Sequence, residues 1–106
     1  MLRIMICDDD RNNCLELRQM LERYLFDKYE VNIECYHSGR IFVEKLTRYG
    51  KIDTDLIFMD IQMPEMNGIE LVKILRQNQV GADIVFVTGH SEYVFRGYEM
   101  HAYDIC

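Results

Sequence analysis

The chain has 106 residues, enough for one domain and no more. Its 18 Asp and Glu against 12 Lys and Arg leave a net charge of −6, which excludes a domain whose main work is gripping a nucleic-acid backbone. With 49% hydrophobic residues and one proline it can build a core and is not a disordered tail.

Arg3 to Cys7 reads as a buried strand. Cys14, Leu17, Leu21, Tyr24 and Leu25 follow at steps of three and four, which predicts a helix from Asp10 to about Asp27 with these residues on its apolar face. Asp10 suits the N-cap, where its carboxylate accepts from the free amides of the first turn. Val31 to Tyr36 alternates at period two, the pattern of a half-exposed strand. Ser38 can cap a second helix carrying Ile41, Phe42, Lys45, Leu46 and Tyr49, and Gly50 ends it.

Leu56-Ile57-Phe58-Met59 is continuously apolar, as in a parallel strand covered on both faces. The loop holding Pro64 follows, and then a predicted helix from about Asn67 to Gln77 with Ile69, Leu71, Val72 and Leu75 apolar. Ile84 to Val87 is a second fully apolar strand. A weaker helix is expected from Ser91 to about Met100, and Tyr103 to Cys106 reads as the start of a fifth strand.

Alternating strands and helices predict an α/β domain with a parallel sheet and helices on both faces. In such sheets chemistry sits beyond the carboxyl ends of the strands. The first strand ends in Asp8-Asp9-Asp10, the third in Asp60 and the fourth in Thr88-Gly89. Crowded carboxylates oppose folding unless a cation offsets them. Mg²⁺ takes oxygen ligands, keeps several waters and accepts a phosphoryl oxygen, so Asp8, Asp9 and Asp60 are candidate ligands. Thr88 is a candidate hydrogen-bond donor to a phosphoryl group. His37, His90 and His101 have no partner at metal spacing and read as surface or edge residues. The four cysteines, Cys7, Cys14, Cys35 and Cys106, also lack metal spacing and read as free thiols of a cytoplasmic protein. There is no signal-peptide pattern, and no apolar run approaches the ~20 residues of a membrane span.

The segment Leu56-Ile57-Phe58-Met59-Asp60-Ile61-Gln62-Met63-Pro64-Glu65-Met66-Asn67-Gly68 resembles the phosphoacceptor segment of two-component response-regulator receiver domains. Asp8-Asp9 matches that family's acidic pair, and Thr88-Gly89 its motif after the fourth strand. The resemblance runs from Leu2 to Cys106. It implies a CheY-like, flavodoxin-like doubly wound parallel sheet with strand order 2-1-3-4-5, in one receiver domain spanning residues 1–106. Asp60 would accept a phosphoryl group from a histidine of a sensor kinase. Asp9, Asp60 and the main-chain carbonyl of Gln62 would bind Mg²⁺ directly, with Asp8 assisting. Thr88 would hydrogen-bond the phosphoryl group. The domain would not be an enzyme beyond catalysing its own phosphorylation and dephosphorylation. It would form a homodimer on activation and would switch an output domain that binds DNA, without touching nucleic acid or membrane itself.

Two departures from the family pattern stand out. The family's fifth-strand lysine would fall just beyond Cys106, so the chain reads as truncated in the fifth strand and lacking the fifth helix. The family's switch residue, often aromatic, falls at Ile105. The stretch Tyr93 to Asp104 also resembles receivers fused to LytTR-type DNA-binding domains.

Rival classes fit less well. A phosphohydrolase of the haloacid dehalogenase type needs a second aspartate where Gln62 stands, and an amide cannot transfer a proton. A flavodoxin-like cofactor binder would cradle phosphate after the first strand, where Asp8-Asp9-Asp10 would repel it. A pseudo-receiver that binds partners without phosphorylation is the alternative that survives, because the lysine is missing.

Overall fold

The computed structural model describes residues 1–87 in full and residues 102–105 as a strand. The expected helix from Ser91 to Met100 lies outside the described residues, as do Thr88, Gly89, His90 and His101.

Five strands form one parallel sheet: β1 (Leu2–Cys7), β2 (Val31–Tyr36), β3 (Leu56–Asp60), β4 (Asp83–Val87) and β5 (Ala102–Ile105). Their order is β2-β1-β3-β4-β5, the flavodoxin-like order that the resemblance implies. Three helices are described: α1 (Arg11–Leu25), α2 (Gly39–Tyr49) and α3 (Gly68–Gln77). No helix among the described residues is long and apolar enough to cross a membrane.

The caps show why the helices start and stop where they do. Asp10 accepts from the amides of Asn12 and Asn13, Ser38 from that of Arg40, and Asn67 from that of Glu70. Gly50 closes α2 at φ 72°, a left-handed conformation that a residue without Cβ adopts at no steric cost.

The pleat divides the core in two. Met5, Cys7, Ile57, Met59, Ile84 and Phe86 face α2 and α3, meeting Phe42, Leu46, Leu71, Val72 and Leu75. Ile4, Ile6 and Ile33 face the other way, toward Cys14 and Leu25 of α1. Because β1 and β3 have apolar neighbours on both faces, their sequences show no polar alternation.

Two helices bury less than their apolar spacing predicts. In α1, Tyr24 lies at the margin of the face and is 66% exposed, its ring under the Lys28 ammonium at 4.1 Å. In α2, Ile41 and Tyr49 are exposed, and contact with the sheet runs through Phe42 and Leu46. A helix on a flat sheet buries a narrow stripe, and side chains flanking it stay in water.

Candidate functional site

The site lies at the carboxyl ends of β1 and β3. These strands are adjacent and parallel, with Cys7 opposite Met59. The next residues, Asp8 and Asp60, therefore leave the sheet side by side. Asp9 follows, and one carboxylate oxygen from each of Asp8, Asp9 and Asp60 lies within 4.8 Å of the other two. Asp8 is only 6% exposed, the one buried charged residue among those described. Its Oδ1 accepts from the Asp10 amide at 2.9 Å, and its own amide donates to the Tyr36 carbonyl at 2.9 Å. The first turn of α1 and the end of β2 thus hold this carboxylate in place.

Asp60 is half-buried, and its Oδ1 accepts from the Gln62 amide at 3.1 Å. Burial and the Asp8 charge raise the Asp60 carboxyl to about 7 from an ordinary 3.8, against the opposing pull of the Gln62 amide. No Lys or Arg among the described residues forms an ion pair with Asp8, Asp9 or Asp60. Three converging carboxylates with only oxygen donors and no counter-charge among the described residues fit a hard divalent cation, and Mg²⁺ suits them.

The loop after β3 is built to keep Asp60 there. Glu65 takes φ 68°, which reverses the chain after Pro64. The Gly68 amide donates to the Ile61 carbonyl at 2.8 Å. A Cβ at Gly68 would collide with the Asp60 carbonyl oxygen and crowd Met59 Cγ, so only glycine lets the start of α3 pass so close to the end of β3.

The structure brings together Asp8, Asp9 and Asp60 and ties the Gln62 main chain to Asp60 through its amide. Thr88 lies outside the described residues. His37, which the sequence places at the surface or an edge, is instead half-buried beside the site. His37 Nδ1 lies 3.1 Å from the Asp8 carbonyl oxygen and 3.6 Å from Cys14 Sγ. His37 follows β2, and only the pairing of β2 with β1 brings it to Asp8. Burial, with Cys35 and Asp8 nearby, pushes the Cys14 thiol up to about 12.

The raised Asp60 carboxyl gives a signed expectation for the metal-free protein. Between pH ~4 and ~7 the folded state keeps a proton that the unfolded state has released. Stability from this group therefore falls as pH rises through that window and is flat above it. Because the site is half-exposed, solvent screening reduces the effect to roughly 1–2 kcal/mol. Denaturant titration without metal should find Asp60→Asn more stable than wild type at pH 8, with the gap closing toward pH 4. Millimolar Mg²⁺ competes with the proton and binds the native state, so it should raise the wild-type melting temperature at pH 8. A gap that does not depend on pH, or a melting temperature indifferent to Mg²⁺, would contradict this electrostatic account.

Comparison with known proteins gives the same picture. A family model described as the response regulator receiver domain matches residues 4–106. An uncharacterized response regulatory protein of Yersinia pestis is 36% identical over 104 residues, covering 98% of this chain and 41% of that protein. The transcriptional regulatory protein BtsR of Salmonella typhi is 34% identical over 104 residues, again 98% of this chain and 41% of that protein. The chain thus spans about two fifths of the length of these curated relatives. The response regulator TrrA of Thermotoga maritima, solved in complex with Mg²⁺ and BeF, has the same fold, with a TM-score of 0.79 at 24% identity over 99% of this chain and 84% of that one.

Proposed function

This chain belongs to the response-regulator receiver domain family, and from that membership we propose that it accepts a phosphoryl group on Asp60 from a phosphohistidine of a sensor kinase. The observation that carries the reading is the convergence of Asp60 with Asp8 and Asp9 at the ends of β1 and β3. An ionised Asp60 oxygen attacks phosphorus, the bond from phosphorus to the histidine nitrogen breaks, and the product is an aspartyl phosphate. The chain's part is positioning and charge management, as phosphoryl transfer generally requires. The Gln62 amide orients Asp60 by binding Oδ1 and leaves the second carboxylate oxygen free to attack. Asp8, locked by the Asp10 amide, and Asp9 would hold Mg²⁺ together with Asp60 and the Gln62 carbonyl. When bound, Mg²⁺ supplies the positive charge that keeps Asp60 ionised and offsets the phosphoryl oxygens. Thr88, which follows β4 beside β3, would hydrogen-bond the transferred group.

Phosphorylation would then act on an output domain. The transcriptional regulators among the relatives support DNA-binding output, and the Tyr93 to Asp104 pattern suggests the LytTR type. We further read the domain as cytoplasmic, as dimerising once phosphorylated, and as having no turnover of an external substrate.

The test is uptake from acetyl phosphate, read by intact mass. A single phosphoryl adduct that is labile to hydroxylamine and forms with Mg²⁺ but not with chelator is expected. Uptake that ignores the chelator would argue against the acidic site.

A further inference from the structure

We propose that Cys14 and Cys35 are an oxidisable pair that closes a disulfide between α1 and β2, and that closure weakens the acidic site through Asp8. The pairing follows from the sheet's two faces. Cys14, in the first turn of α1, is 2% exposed and packs in the core on the α1 side. Cys35 stands opposite Ile6 in the β1–β2 register, and its half-buried side chain packs against the same core. Cys14 Sγ lies 3.6 Å from Nδ1 of His37, two residues beyond Cys35, so helix α1 brings the Cys14 thiol to the end of β2, on the side of the sheet where Cys35 packs. Cys7 belongs to the opposite core, with its Sγ 3.6 Å from Met63 Sδ, and the sheet separates it from the pair. Both Cys14 and Cys35 are free thiols in this structure.

The more exposed sulfur, Cys35, meets an oxidant first. With a hydroperoxide, its sulfur attacks the O–O bond and that bond breaks. The sulfur becomes a sulfenic acid, and the departing oxygen takes the thiol proton and leaves as an alcohol or water. The Cys14 sulfur then attacks the Cys35 sulfur. The S–S bond forms, the S–O bond breaks, and hydroxide leaves with the Cys14 proton as water. In sum, two thiols lose two electrons and two protons, and one peroxide bond is reduced.

The link to the acidic site is one atom. The Cys14 thiol donates to the Asp8 carbonyl oxygen at 3.4 Å, and the same oxygen is 3.1 Å from His37 Nδ1. Disulfide formation removes the S–H that the carbonyl accepts and pulls Cys14 Sγ toward β2. Asp8 is the buried member of the carboxylate cluster, so a shift of its peptide moves an oxygen of the cluster. The disulfide itself does not depend on Asp60 being phosphorylated. Only its effect on the cation rests on the reading of the carboxylates given above.

The experiment treats the full chain with hydrogen peroxide under non-reducing conditions. The expected product is lighter by two hydrogens, yields one digest fragment joining Cys14 to Cys35, and returns to the starting mass with dithiothreitol. It should not form in Cys35→Ser, whose half-buried hydroxyl is well tolerated, or in Cys14→Ser. Calorimetric titration should show Mg²⁺ binding several-fold weaker in the oxidised chain than in the reduced one, and equal before and after peroxide in Cys35→Ser. A cross-link to Cys7 or Cys106, or Cys35 carried to the sulfinic acid with Cys14 still reduced, would overturn the pairing. Equal Mg²⁺ affinity in both redox states would overturn the coupling through Asp8. If the reduced chain bound no Mg²⁺ at all, the carboxylate reading would fail while the disulfide could still stand.

Discussion

Asp60→Asn should reduce phosphoryl uptake to below detection while leaving the fold intact. The substitution keeps the shape of the side chain, and its amide oxygen can still accept from the Gln62 amide that Asp60 Oδ1 now engages at 3.1 Å. What disappears is the anionic oxygen that attacks phosphorus. A neutral amide oxygen is too weak a nucleophile to replace it. The variant also removes one of three mutually repelling carboxylates, so it should be at least as stable as wild type without metal. Loss of uptake together with gain of stability separates a chemical role from a structural one. The competing acceptor is Asp9, which is exposed and within 4.8 Å of Asp60. If Asp60→Asn still formed a hydroxylamine-labile adduct, the phosphoacceptor would have to be reassigned to a neighbouring carboxylate.

Gly68→Ala should be among the most destabilising single-methyl additions in the domain, costing ~2–3 kcal/mol. At 4–8 °C per kcal/mol this lowers the melting temperature by roughly 8–24 °C. The cause is contact rather than backbone conformation. The new Cβ would overlap the Asp60 carbonyl oxygen, a main-chain atom that cannot rotate away, and would also crowd Met59 Cγ. Relief requires α3 to lift from the end of β3, breaking the bond from the Gly68 amide to the Ile61 carbonyl and loosening the loop that carries Gln62. Uptake on Asp60 should therefore fall with stability. Gly39→Ala is the control. A Cβ at Gly39 would meet Met66 and Leu71 at 3.5–3.6 Å, ordinary packing distance, and α2 would gain a better helix former. It should be neutral or slightly stabilising. Equal losses at the two positions would show that the domain is intolerant of methyl groups in general, and that the approach at Gly68 is not special.

Much of this protein was legible in its sequence, because the informative signals are local. Apolar runs of strand length at Ile4–Cys7, Leu56–Met59 and Ile84–Val87 read as strands without knowledge of their partners, since burying them demands a covered sheet. Asp10, Ser38, Gly50 and Asn67 mark helix ends through bonds to their own neighbourhoods. Acidic residues placed directly after apolar strands pointed to one rim because strand direction in a parallel sheet is common to all strands. Tertiary structure alone decided how those residues meet. The register of Cys7 against Met59 sets Asp8 beside Asp60, and the resulting burial and repulsion raise the Asp60 carboxyl. The pairing of β2 with β1 carries His37 to the Asp8 carbonyl and places Cys35 against the core that holds Cys14, joining residues 20 or more positions apart. The need for glycine at position 68 became clear only when α3 was seen against the end of β3. Side-chain type and spacing report what a residue does within a few positions of itself. Distances across strands are set by the packing of the whole sheet, to which no single segment holds the key.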